Sequence, residues 1–129
     1  MATEKVSVQP VYGYGFNTIQ AWCKVTPQSA ANPTVVSNFG FASIVRTSSG
    51  LYTFTVAEPK RFVDGCVDVY AVYSDANFHE VAITAFNTAT GVGTFTHKTV
   101  AYASIASGPA LADNTGVTSF VIQVTGVAG

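Results

Sequence analysis

The chain has 129 residues, 48% of them apolar and only 10% charged, with six Lys/Arg against seven Asp/Glu for a net charge of −1. That length suits one domain with a substantial core. The basic residues Lys5, Lys24, Arg46, Lys60, Arg61 and Lys98 are scattered, which leaves no stripe to follow a phosphate backbone and excludes a nucleic-acid partner. No apolar run approaches the ~20 residues of a membrane-spanning helix.

The first ten residues, MATEKVSVQP, carry Glu4 and lack the apolar centre of a secretory signal, so synthesis in a reducing cytoplasm is expected. Tyr12-Gly13-Tyr14-Gly15-Phe16 combines flexible backbone with aromatic bulk. Residues 1–16 are therefore expected to form an extended arm whose Tyr12, Tyr14 and Phe16 dock on a neighbouring subunit, a first edge strand being the alternative. Residues 17–129 form the single domain.

Thr18–Val25 (TIQAWCKV) reads as a strand that Pro27 ends, with Trp22 expected in the core between Ala21 and Cys23. Asn38–Thr47 and Leu51–Val56 alternate apolar and polar residues about Thr47-Ser48-Ser49-Gly50, the pattern of a β-hairpin. In the second arm Tyr52, Phe54 and Val56 share one face and Leu51, Thr53 and Thr55 the other. In the first, Ala42 and Ile44 oppose Ser43 and Val45. Glu58-Pro59 closes the hairpin.

Cys66–Tyr73 (CVDVYAVY) sets Val67, Val69, Ala71 and Tyr73 against Asp68, Tyr70 and Val72, and Ser74-Asp75-Ala76-Asn77 is a turn. Glu80–Asn87 sets Val81, Ile83 and Ala85 against Ala82, Thr84 and Phe86. A Thr/Asn/Gly-rich hairpin loop leads to a strand over Gly93–Ala103. Ser104–Gly116 is a long loop, and Thr118–Val124 (TSFVIQV) is the closing strand with Phe120, Ile122 and Val124 on one side. Seven to eight strands with this spacing predict an all-β fold, an antiparallel β-sandwich of jelly-roll-like or immunoglobulin-like type, with a closed barrel as the alternative.

Catalytic and metal-binding patterns are not present. His79 and His97, the only histidines, read as solvated or cross-strand-paired side chains. Asp64, Asp68 and Asp75 lack the spacing of a calcium loop. Cys23 and Cys66 fit no compact metal spacing and are expected as two buried thiols, a disulfide between them being the alternative. No nucleophile elbow, phosphate loop or dinucleotide fingerprint occurs. The expectation is a protein without catalytic residues, metal or cofactor.

The stretch Phe41–Val56, FASIVRTSSGLYTFTV, resembles a hairpin of bacteriophage virion structural proteins, of the form S-V-x-R-T-G-x-G-x-Y-x-V/L-x. Ile44 and Val45 match its apolar positions, Arg46-Thr47 its Arg-Thr pair, and Gly50, Tyr52 and Val56 follow in step. Asp113 before the closing strand matches as well, while Ser48 stands where such hairpins carry Gly. The resemblance implies a head-decoration (cement) or fibre-type β-sandwich. Such a protein assembles as a homotrimer or other homo-oligomer and binds the major capsid protein on the outside of the virion. It also implies that Arg46 faces solvent or a neighbouring copy. With one domain and no shaft, decoration is favoured over a receptor- or glycan-binding fibre tip, in which Trp22, Tyr70 or Tyr73 would stack on sugar rings.

Overall fold

Alternating side chains and glycine-marked turns fold the chain into two antiparallel sheets. The computed structural model describes residues 7–10, 17–59 and 62–128. Its strands are β1 (Ser7–Pro10), β2 (Asn17–Gln28), β3 (Ala31–Phe39), β4 (Phe41–Ser48), β5 (Leu51–Val56), β6 (Phe62–Tyr73), β7 (Phe78–Phe86), β8 (Val92–Val100), β9 (Ala110–Leu111) and β10 (Val117–Ala128). A 3-10 helix at Tyr102–Ser107 links β8 to β9. The expected all-β sandwich forms, with ten strands among the described residues because short β1 and β9 add to the longer ones. Tyr12, Tyr14 and Phe16 lie outside the described residues.

The first sheet runs β1-β2-β10-β6, with β3 pairing β2, and the second runs β4-β5-β8-β7, with β9 pairing β8. The chain changes sheet after β3, β5, β6 and β9, and two of these crossings are tight corners. The first is Gly40, whose φ of 94° suits a residue without Cβ. Asn38 brackets this corner: its Nδ2 donates to the Phe41 carbonyl at 2.7 Å and its Oδ1 accepts the Phe41 N–H at 3.0 Å. The continuous strand expected over Asn38–Thr47 is therefore two strands in different sheets. The second corner is the Ser74–Asn77 turn between β6 and β7.

Three further expectations are corrected by local geometry. Pro27 does not end β2. The pairing with β10 runs out at Val25, and beyond it β2 pairs only with β3, where Pro27 occupies a register shift that does not need its missing N–H. In β4 a shift between Phe41 and Ser43 turns Ala42 outward, so Phe41 and Ile44 fill the core instead. In β7 a shift between Ile83 and Ala85 exchanges the faces, and Phe86 rather than Ala85 packs inward.

The core lies between the sheets. Ala21, Cys23 and Val25 of β2, with Phe120, Ile122 and Val124 of β10, meet Phe41, Ile44, Tyr52, Phe54, Val56 and Phe95 of the second sheet. The hairpin alternation holds here, since Tyr52, Phe54 and Val56 are buried. Tyr52 stacks on Phe95 at 4.9 Å, and Phe120 meets Tyr52 at 5.4 Å and Phe95 at 5.3 Å. The Phe54 ring lies over the bare backbone of Gly93, where a Cβ would collide with it. Each such buried aromatic contributes about 1.5–3 kcal/mol of burial free energy before ordering costs. Cys23 joins this core as expected, and burial pushes its thiol up to about 12. Cys66 does not: it is exposed on β6, and both thiols are free.

Candidate functional site

One end of the sandwich is closed by Asp113, on the loop between β9 and β10. Its Oδ1 accepts the Arg46 Nε–H at 2.9 Å and the Gly50 N–H at 2.9 Å, and its Oδ2 accepts the Ala30 N–H at 3.2 Å. One carboxylate thus ties the β2–β3 turn, the β4–β5 turn and the final loop together. Gly50 has φ of 66°, and a Cβ there would meet the His97 carbonyl at 2.6 Å and the Ala112 nitrogen at 2.7 Å. Only glycine admits this approach. Burial works against ionisation of Asp113, but the bonds from Arg46, Gly50 and Ala30 outweigh it and hold the carboxyl below its ordinary value. The bond to Asp113 raises the Arg46 guanidinium in turn. Arg46 is thus paired within the chain, its side chain 21% exposed.

Behind the clasp runs a line of polar groups. The His97 Nδ1 lies 2.8 Å from the Ala112 carbonyl and 3.2 Å from that of Asp113. Its Nε2 lies 3.0 Å from the His79 Nδ1, and the His79 Nε2 lies 2.6 Å from the Asp75 Oδ1. Neither histidine is solvated, because both project from the inner faces of β7 and β8: His97 is fully buried and the His79 side chain is 1% exposed. Tyr73 stacks on His79 with centroids 4.2 Å apart. Burial lowers the proton affinity of His97, which the neighbouring carbonyls only partly restore. The bond to His79 lowers Asp75 below its ordinary range. Every buried side-chain polar atom among the described residues has a partner. Among those residues, no group of three or more His, Cys, Asp or Glu is arranged to hold a metal ion.

The outer face of the first sheet has a different chemistry. Period-two alternation sends Ala21, Cys23 and Val25 inward and Trp22 outward, so Trp22 is 37% exposed rather than in the core. Gln123 of β10 pairs with Trp22 on one side and Asp68 of β6 on the other, while Tyr70 and Val121 pair in the neighbouring row. Gln20, Trp22, Tyr70, Val121 and Gln123 line a shallow hollow of about 300 Å³. Cys66, Asp68, Gln123 and Thr125 bound an adjoining one of about 320 Å³. Tyr70 and Val72 are each half exposed. A second exposed apolar set, Tyr102, Ile105 and Leu111, stands on the connection from β8 to β9, whose 3-10 helix has no buried residue. Among the described residues no helix is long and apolar enough to cross a membrane.

Compared with protein-family models, curated proteins and solved structures, the chain matches none of them.

Proposed function

We propose that this protein is a non-catalytic structural module that assembles as a homo-oligomer and decorates a bacteriophage capsid by binding the major capsid protein on the outer surface of the head. The carrying observation is the apolar display on an otherwise satisfied fold: Trp22, Tyr70 and Val72 on one sheet face, Tyr102 and Ile105 on an exposed 3-10 turn, and Leu111 on β9. Large apolar side chains gathered on a surface mark interaction sites, and low charge leaves little repulsion to oppose packing between copies. The hairpin resemblance supplies the virion context. The clasp adds a tied end, since the Arg and Gly positions of that resemblance are two of the three donors to its Asp position, Asp113. Light scattering is expected to give a trimer, and co-sedimentation with expanded capsid shells saturable binding. A monomer that leaves the shells bare would overturn the reading.

A second reading, glycan binding, is favoured by one observation. The Trp22 and Tyr70 rings share their hollow with the amides of Gln20 and Gln123 and no charged side chain. Aromatic faces for apolar ring surfaces and amides for hydroxyls suit a neutral sugar. A glycan array with saturable hits lost in Trp22→Ala supports it, and a blank array retires it.

A further inference from the structure

The line Asp75–His79–His97 fixes its own proton content. At one end the His97 Nδ1 faces two carbonyl oxygens, so it must carry a proton and donate. At the other end Asp75 accepts from Asn77, whose backbone N–H lies 3.3 Å from Oδ1 and whose Nδ2 lies 3.1 Å from Oδ2, which marks it as a carboxylate. The two contacts between these ends, His97 Nε2 to His79 Nδ1 and His79 Nε2 to Asp75 Oδ1, need one proton each. With His97 Nδ1–H fixed, His79 Nε2 carries the proton on the Asp75 contact, and the remaining proton lies between His97 Nε2 and His79 Nδ1, on one ring or the other. The two rings together therefore hold one proton more than two neutral imidazoles, balanced by the Asp75 carboxylate and covered by the Tyr73 ring.

Either change of one proton breaks the line. Removing one sets two lone pairs against each other, at His79–Asp75 or at His79–His97. Adding one, between the rings or at Asp75, sets two donors face to face. The line holds the loop that carries the clasp, since His97 Nδ1–H binds the carbonyls of Ala112 and Asp113. At the Asp75 end, the carboxylate packs against Gly116, whose carbonyl accepts the Ser74 N–H at 2.8 Å. The other ionisable groups facing the rings are Tyr73 from β6, Tyr52 from β5, and the Arg46–Asp113 pair behind the carbonyls. Glu80 and Lys98 pair in register on the opposite side of their strands, turned away from the rings.

We propose that Asp75–His79–His97 is a proton-gated latch: it secures loop 112–116, and through Asp113 the β2–β3 and β4–β5 turns, only while its two rings share three protons. The device switches on acidification or on alkalinisation and needs no ligand. It stands apart from any partner, so it holds whether the protein decorates a capsid or binds a glycan.

The test uses the full wild-type chain labelled with nitrogen-15. Long-range imidazole spectra at about pH 7 are expected to show three protons on the two rings, with His97 Nδ1 and His79 Nε2 both protonated. Two neutral rings, or a His97 protonated at Nε2 alone, overturn the proposal. Amide exchange at Ala30 and Gly50, corrected for its intrinsic pH dependence, is then followed across the pH range. Protection is expected to fall by about tenfold or more wherever either ring gains or loses a proton. Rings that titrate while both amides keep their protection also overturn it. In Asp75→Ala, which removes the balancing carboxylate and puts no donor in its place, the ring pair is expected to lose its third proton at about pH 7 and Gly50 its protection. An unchanged His79 spectrum in that variant counts against the latch.

Discussion

Two regions of this sandwich solve opposite problems. At the clasped end, polar and charged groups are taken out of water and every one is matched: Asp113 gathers three donors from three parts of the chain, and two histidines are placed in line behind it. On the outer face of the β2–β10–β6 sheet, large apolar groups are left in water and none is matched within the chain. Unmatched polar groups cost stability when buried, whereas unmatched apolar groups on a surface cost little until a partner covers them. We therefore propose that the clasped end serves the fold and the open face the function. That division is testable, because stability variants and binding variants should fall in different places.

The largest effect is expected from Asp113→Ala. It removes three accepted hydrogen bonds, leaves the buried Gly50 N–H without a partner and strands the Arg46 charge. Unfolding in denaturant should show a loss of about 3–4 kcal/mol. A loss below about 1 kcal/mol would place this pair with ordinary surface ion pairs. Gly50→Ala comes next, at about 2–3 kcal/mol, because the new Cβ meets backbone atoms of His97 and Ala112 that have no room to yield.

Acid should undo the same end in two stages. Burial holds the folded-state His97 below its ordinary value of 6.5, while the unfolded chain titrates at that value. Between the two values the unfolded chain binds more protons, so this stability is complete above pH 6.5 and declines as pH falls. Asp75 and Asp113 are also lowered, from 3.8, so their contribution is lost only in a second decline below that pH. Denaturant midpoints measured across the acid range check this. A flat profile down to pH 4 would contradict the burial of His97. A smaller gain is expected from Ala30→Gly. Ala30 has φ of 54°, in the left-handed region, so glycine should add about 0.5–1 kcal/mol.

The comparison also explains what could be read before folding. The hairpin was legible because its second strand repeats with period two and its turn carries Gly50 at a positive φ. Arg46, Gly50 and Asp113 were each visible in the resemblance, but they meet only when residues 67 apart in sequence are closed together. The buried histidines carried a signal: His97 is in phase with Phe95 and Gly93, which are buried, so alternation alone turns it inward. Trp22 is the converse. Its bulk argues for the core, yet its phase is opposite to that of Ala21 and Cys23, and phase prevails because the backbone pleat sets direction. The bulges that switch faces in β4 and β7 have no comparable mark in the residues concerned.

The smallest effect on stability and the largest on binding are expected from Trp22→Ala. The side chain is already 37% exposed, and it lies over Gln123 rather than in the core, so its loss opens no cavity between the sheets. Surface substitutions of this kind move stability by about 0.5 kcal/mol or less. Binding is different, because an exposed tryptophan at the centre of a docking face is the type of residue that carries a disproportionate share of the energy, about 2 kcal/mol or more. Such a loss corresponds to a 30-fold or greater weakening, about tenfold for each 1.4 kcal/mol, read as co-sedimentation with capsid shells or as glycan retention. Lys24→Ala, in the adjoining row of the same face, serves as a control. Equal losses from both variants would mean that the whole sheet face contributes without a centre. A Trp22→Ala protein that is as stable and binds as well as the parent would move the site off this sheet and onto the exposed turn of Tyr102 and Ile105.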